Sequence, residues 1–316
     1  MDTEISGLPV IFDRAAVRTH RDRAARSPVA HDFLIRESAE RLLDRLEDVT
    51  RQFPRALDLG CRTGTLARIL KGRGGIESVV HADLSWEMVR RISRLSSFGG
   101  TLARSCVVAD EELLPFAPES FDIILSNLSL HWTNDLPGTL AQLNRALKPD
   151  GLFLATMFGG DTLWELREAL LQAEAEFEGG AGPRVSPFVD VRDAGDLLNR
   201  ARFALSVADV DSVTVTYPDM FRLMADLRGM GETNAARARR QTFTRRETLM
   251  RADTIYRELH GDEESRLPAT FQIIALTGWA PHASQPKPRR PGSATTRLAD
   301  ALGTTEQSVG DKAKPA

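Results

Sequence analysis

An apolar strand that runs straight into a glycine turn, RALDLGCRTG at residues 55–64, constrains this chain more than any other feature. Gly60 can take the positive φ of a tight turn, and Gly64 lets a following helix, expected over about 64–72, press against the strand. Such a turn brings backbone N–H groups and one carboxylate, Asp58, to the edge of a sheet, where a nucleotide-type cofactor can approach the main chain. A buried strand-to-helix turn also needs glycine when it holds nothing, so the neighbouring strands decide the matter.

Three further apolar runs stop on polar groups. SVVHADLSWEMV (78–89) carries Asp83, about twenty residues past the glycine turn, where a dinucleotide-type fold places the acid that grips a ribose diol. SCVVADEELLPF (105–116) ends on Asp110 and Glu111, and SFDIILSNLSLHW (120–132) ends on Asn127 with His131 and Trp132 just beyond. In an open parallel sheet these carboxyl ends lie side by side, so Asp58, Asp83, Asp110 and Asn127 are expected to converge on one cofactor site.

DLGCRTG, HADLSWEM, ADEELLPF, the SFDIILSNLSLHW strand and LKPDGLFLATMFG follow the motif order of class I S-adenosylmethionine (SAM) dependent methyltransferases, a resemblance spanning about residues 55–160. It implies an α/β, Rossmann-like fold with a seven-stranded, mostly parallel sheet and helices on both faces. It also implies that Asp58, Gly60 and Gly64 surround the methionyl part of SAM, that Asp83 holds the ribose hydroxyls and that Asp110 meets the adenine amine. The backbone near Asn127 then lines the methyl end, with Cys61, Arg62, Leu84 and Glu111 beside these positions. Arg62 departs from the pattern, which most often has glycine there. Its side chain either crowds the cofactor or points outward to its carboxylate.

A narrower resemblance covers almost the whole chain. VIFDRAAVRTHRDRAA (10–25), LSLHWTNDLPGTL (128–140), MFGGDTLWELREAL (157–170), SPFVDVRDAGDLLNRARF (186–203), YPDMFRLMADLRGMGETN (217–234), LPATFQIIALTGW (267–279) and PGSA (291–294) are similar to the methyltransferase-fold assembly factors of respiratory complex I. The mitochondrial members are associated with hydroxylating an arginine of an iron–sulfur subunit, which makes that subunit, near the quinone site, the implied partner. The biotin-pathway malonyl-carrier methyltransferases are more distantly similar. The fold by itself does not settle the reaction.

Bulk properties agree with an ordinary enzyme. With 316 residues and 42% hydrophobic content the chain can bury one sizeable core, and its net charge of −3 gives no sign of a nucleic-acid partner. Two cysteines, Cys61 and Cys106, form neither a disulfide framework nor a CxxC pair, so no metal site is expected. MDTEISGLPVIFDR lacks a basic region followed by an apolar run, and no stretch approaches the ~18 apolar residues of a membrane span, so a cytoplasmic location is expected, with peripheral membrane association left open.

Four segments are expected: an N-terminal helical segment over the cofactor site (1–50), a SAM-binding core (51–160), a substrate-side insertion with the closing strands (161–280) and a disordered tail (281–316) in which PGSATTRLADAL is a candidate ordered stretch. Arg14, Arg18, Arg21, Arg23 and Arg26 of the first segment read either as a solvated face or as contacts to an acidic group. His131, unperturbed near ~6.5, is the candidate catalytic group; the competing reading is a structural histidine with Trp132 packed beside it. Glu111, Asp135 and Asp161 read as guanidinium-binding or solvated rim acids, and the only HxD, His260-Gly261-Asp262, reads as a helix-ending turn. The expected activity is SAM-dependent methylation of a protein during complex I assembly. The alternatives are arginine hydroxylation on the same fold and a non-catalytic chaperone.

Overall fold

The computed structural model describes residues 10–26, 31–70, 72–94, 103–286, 293 and 295–305. Two helices lead into the sheet. In α1 (Arg14–Ala24) the Asp13 carboxylate accepts the Ala16 N–H at 3.0 Å, and α2 (Phe33–Glu47) buries Leu34, Leu42, Leu43 and Leu46 at helical spacing. The chain then alternates strand and helix: β1 (Arg55–Leu59), α3 (Thr65–Leu70), β2 (Ser78–Asp83), α4 (Trp86–Ser93), β3 (Ala103–Val108), β4 (Phe121–Asn127), α5 (Leu136–Ala146) and β5 (Leu147–Phe158). After it come α6 (Trp164–Phe177), α7 (Val191–Arg200), β6 (Ala204–Tyr217), α8 (Met220–Met230), α9 (Arg246–His260) and β7 (Leu267–Trp279).

The seven strands form one sheet in the order β3-β2-β1-β4-β5-β7-β6, and β7 runs antiparallel to both its neighbours. This is the Rossmann-like class I methyltransferase arrangement expected from the motif order. Strand alternation explains why both faces are covered. Ile123, Leu125, Leu152 and Leu154 pack with Leu42 and Leu46 of α2 and Leu66 and Leu70 of α3, whereas Ile124, Phe153 and Ala155 pack with Leu140 and Leu143 of α5 and Leu198 of α7. A third cluster joins α6, α8 and α9 to the β7 end of the sheet through Leu166, Leu170, Met220, Leu223, Tyr256 and Phe271.

One boundary differs from expectation. The third strand ends at Val108, and Asp110 and Glu111 lie in the turn after it, where Asp110 bridges Leu113. The alternation there stops being apolar, and the acids are held by arginines instead of strand pairing. Residues up to His282 form one compact unit. In the second unit, Ala283–Ala316, the described residues include a short helix, α10 (Leu298–Leu302), closed by Gly303 with φ +62°; it lies within the PGSATTRLADAL stretch, while 287–292, 294 and 306–316 of the expected tail fall outside the described residues.

Gly60 shows how the turn is packed. Its φ is +70°, and a Cβ there would sit 2.1 Å from Ser129 Oγ and 2.3 Å from Ser129 Cβ. Gly60→Ala is therefore expected to cost about 1–2 kcal/mol for the left-handed backbone and about 1–3 kcal/mol for overpacking. Thermal melts should show a lower Tm; an unchanged Tm would contradict the close packing of Ser129 on the turn.

Candidate active site

The crevice is built in layers at the carboxyl ends of β1, β2 and β4. In the turn, the Gly60 and Cys61 N–H groups both donate to the Ala82 carbonyl, at 2.8 and 3.0 Å, which locks β1 to β2 at their ends. Asp58 is buried and bonds to His81 Nδ1 at 2.9 Å. His81 precedes Asp83 by two residues and shares its face of the strand, so the Asp58–His81 pair lies one step beneath the turn and supports it. Cys61 is buried, and burial, followed by the Asp83 and Asp58 charges, pushes its thiol well up, so it stays protonated.

Asp83 ends β2 with no exposure. Its Oδ1 accepts the Ser85 N–H at 2.8 Å and its Oδ2 accepts the Arg62 N–H at 3.0 Å. The Arg21 guanidinium, fully buried on α1, reaches Asp83 Oδ1 only at 3.4 Å but donates to Glu111 Oε1 at 2.6 Å and to Ser129 Oγ at 2.9 Å. Ser129 in turn donates to Glu111 at 2.8 Å. Arg14 brings a second guanidinium to Glu111 and to Asp110. Burial works against the Glu111 charge, yet Arg21 and Arg14 hold its carboxyl well below the usual range.

A second charged group lies across the crevice. Arg62 has φ +48° and a side chain only 2% exposed; its guanidinium donates to the Met230 carbonyl at 3.0 Å, to the Leu128 carbonyl and to Glu232. It therefore points inward and ties the glycine turn to the residues after α8. Glu232 also accepts Trp132 Nε1–H at 3.0 Å and pairs with His131 Nε2 at 3.0 Å. Burial opposes the Glu232 charge, but Arg62 and then His131 bring its pKa down to about 2. Burial, only partly countered by Glu232, lowers His131 below its ordinary value. A neutral ring beside an ionised carboxylate carries its proton on Nε2.

The other expected residues are spread around this centre. The Asn127 amide donates to the Ile35 carbonyl at 2.8 Å and accepts from Thr156 Oγ1 at 2.8 Å, so it links α2 to β5. Leu84 packs with the cluster of Phe12, Val17, Trp132 and Ala235. Gly64 takes φ +80° at the start of α3. Asp135 caps α5 through the Gly138 N–H at 2.8 Å, and Asp161 accepts from Gln272 at 2.8 Å. His260 bonds to Glu168 at 2.9 Å, and among the described residues no group of three His, Cys, Asp or Glu is arranged to hold a metal. Arg21, Ser129 and Glu232 were not singled out by the sequence. Arg21 was one of five arginines with nothing to distinguish it, and Glu232 sits in an irregular segment without periodic signal.

Glu232 faces two ways. Besides the crevice network it lines a cavity of about 130 Å³ whose apolar walls include Leu163, Leu166 and Leu170 before and within α6, Phe188, and Leu227 of α8. At ~30 Å³ per water that is about four waters, the room of one side chain. Phe188 also packs edge-on against His131, with ring centroids 5.7 Å apart, so cavity and crevice meet at His131 and Glu232.

Fold and site together define a protein of the class I methyltransferase type, the class that uses SAM, and the residues present fit that cofactor. Asp83 keeps lone pairs beyond its two short backbone contacts. Arg21 Nε and Arg62 Nε are buried donors with no partner among the described residues. A methyltransferase-domain family model matches residues 57–155. The arginine hydroxylase NDUFAF5, mitochondrial, of Danio rerio is 44% identical over 292 residues, covering 92% of this chain and 89% of the relative. The malonyl-[acyl-carrier protein] O-methyltransferase of Xylella fastidiosa is 36% identical over 280 residues, covering 88% and 92% of the two chains. A Bacillus halodurans structure described as a candidate methyltransferase superposes with TM-score 0.54 at 14% identity, covering 78% of this chain and all of that one, and so agrees with the fold. The chain belongs to the methyltransferase-fold family that contains the NDUFAF5 arginine hydroxylases.

Arg62→Gly separates the two roles of that position. Glycine accepts the φ of +48° without strain, worth about 1 kcal/mol, but removing one member of a buried ion pair costs about 3–5 kcal/mol. The variant is expected to melt lower, not higher, in calorimetry. Acidification tests the same network. His131 and Glu232 both have folded pKa values below their unfolded ones, so their stabilisation is complete above the unfolded values and is lost as pH falls, from 6.5 downward for His131 and between 4.5 and about 2 for Glu232. Tm should hold level above about pH 7 and decline steadily below it; a Tm that rises on acidification would contradict the assignment.

Proposed function

We propose that this protein binds SAM in the crevice at the ends of β1, β2 and β4 and modifies an arginine side chain of a partner protein, hydroxylation being the reaction. The observation that carries this reading is the double position of Glu232, which belongs to the crevice network and also lines the largely apolar cavity. An arginine has an aliphatic stem suited to such walls and a planar guanidinium suited to a buried carboxylate. Identity to arginine hydroxylases over 92% of the chain supports the same acceptor. The partner we propose is an iron–sulfur subunit of respiratory complex I near the quinone site, met from the cytoplasmic compartment.

In this reading Asp83 holds the ribose hydroxyls, Arg21 meets the cofactor carboxylate and Gly60 permits close approach. Bound SAM would supply an electrophilic methyl group on a sulfonium, whereas converting an arginine C–H to C–OH would take dioxygen and a separate two-electron reductant, one oxygen atom going to the arginine and the other leaving as water with two protons. The chain's own contribution is positional. Glu232 receives the acceptor guanidinium, and His131, neutral and donating from Nε2, keeps Glu232 oriented. Phe158 and Phe188, with ring centroids 4.7 and 5.7 Å from that of His131, keep water from it.

Methylation is a second reading, favoured by the fit of the crevice to SAM and by the 36% identity to an O-methyltransferase. Co-expression with the iron–sulfur subunit followed by peptide mass spectrometry discriminates. An added oxygen on one arginine is expected, lost in Glu232→Gln. A methyl increment would establish the second reading, and no increment with normal complex assembly would leave a chaperone. In calorimetry Asp83→Asn should weaken SAM by roughly 10- to 150-fold, the worth of charge-assisted hydrogen bonds at about 1.5–3 kcal/mol.

A further inference from the structure

Three cavities share walls along the irregular segment 183–188. The cavity that Glu232 helps to line has Arg184, Val185 and Phe188 in common with a neighbour of about 530 Å³, and that neighbour shares Pro183 and Pro187 with a third of about 470 Å³ beside Val10 and Ile11. Among the described residues, no main-chain hydrogen bond is made by residues 184–188, and the segment joins the body of the protein just past them through a bridge between Gly159 and Val189. Pro183 and Pro187 have no N–H, the Pro183 carbonyl accepts Asn234 Nδ2 at 2.7 Å, and Val185 and Ser186 are buried, so the accessible unspent main-chain groups are those of Arg184, Phe188 and the Pro187 carbonyl. Such groups beside pockets are what an extended polypeptide recognises, the main chain supplying affinity and the pockets sorting the side chains.

Charge distinguishes the two outer cavities. Arg167 lines the second, and its guanidinium donates only to the carbonyl oxygens of Gly160 and Thr162, at 3.2 Å each. Arg237 lines the third and is exposed. Neither has a carboxylate partner among the described residues, whereas Arg184, Arg239 and Arg240 nearby are each paired with an acid. Two uncompensated cations thus lie along the strip in the second and third cavities, to the same side of the cavity that Glu232 helps to line.

We propose that residues 183–188 form the docking strip for an extended segment of the partner protein that carries two acidic residues to one side of the side chain placed in the Glu232 cavity, the nearer meeting Arg167 and the farther Arg237. The proposal rests on the arginine reading only for the identity of that central side chain. Charge at such a rim governs selection and salt dependence more than total affinity.

The probes are capped peptides of about nine residues, short enough to bind as a single strand, with a central arginine and glutamate, glutamine or lysine at two positions on one side of it, in versions with either chain direction. Each is titrated against the full-length chain by fluorescence anisotropy at low and physiological salt. The glutamate peptide is expected to bind roughly tenfold tighter than the glutamine peptide, with a preference that shrinks as salt rises. Arg237→Glu, at an exposed position, should remove most of that preference with Tm and SAM affinity unchanged, and Arg167→Glu/Arg237→Glu, which also loses the hydrogen bonds to Gly160 and Thr162 and is expected to melt somewhat lower, should turn it towards the lysine peptide. Equal binding of the three peptides, or a preference indifferent to both substitutions, would overturn the docking strip. Self-association in sedimentation that the same substitutions abolish would also overturn it, by making the occupant a second copy. Replacing the central arginine of the peptide by glutamine separates the two ideas: charge selection that persists without arginine upholds the strip and removes the arginine reading, whereas loss of binding upholds both.

Discussion

Two guanidinium groups taken out of water hold the crevice together. Arg21, with no exposure, joins α1 to Glu111, Ser129 and Asp83, and Arg62, 2% exposed, joins the glycine turn to Leu128, Met230 and Glu232. Burying such charges costs several kcal/mol per ion unless paired and hydrogen-bonded, and apolar residues of like volume would often do as well for stability. What the pairs provide is registry. Four segments remote in sequence, the N-terminal helix, the turn after β1, the end of β4 and the residues after α8, meet through groups whose geometry admits few alternatives.

That registry sets the charge state of everything a ligand would touch. Glu111 and Glu232 are kept ionised by the arginines, His131 is kept neutral by burial, and Cys61 is kept as a thiol by burial and the carboxylates around it. The crevice thus offers acceptors, an imidazole that donates and no activated nucleophile among these four. Nucleophilic catalysis by the protein does not follow from such a set, because it needs a lowered thiol pKa or a base beside a hydroxyl.

The fold was legible because its signals are local. Strands that alternate between two buried faces, glycines at positive φ and an acid about twenty residues on are written in consecutive residues, and the strands found at Arg55–Leu59, Ser78–Asp83 and Phe121–Asn127 end where the polar groups stand. The site was half legible for the same reason. Asp83 and Gly60 could be placed by their strand, and Glu111 by its position after one, but no short-range pattern could choose Arg21 from its neighbours or pair Arg62 with a residue 170 positions away. The direction of Arg62 shows the limit most clearly. Its position announced a departure from glycine, and whether it faced the cofactor's carboxylate or an internal acid depended on Glu232, whose place is fixed by the end of α8 and not by anything near the turn.

The division between what is shared and what is particular follows the same line. The methyltransferase-domain match covers residues 57–155, which supply the glycine turn, Asp83, Glu111 and His131. Arg21 lies before that span, and Arg167, Phe188, Glu232 and Arg237 lie after it, yet all fall in stretches that add the closing elements around the sheet. A sheet with this strand order presents its crevice whatever the acceptor, so the acceptor must be chosen by the added elements. Here they contribute a largely apolar cavity lined in part by a carboxylate and an irregular strip with unspent backbone groups. The charged groups brought to that cavity are Glu232, already paired with Arg62, and Arg184, already paired with Glu174, so acceptor choice turns on this lining more than on any property of the sheet.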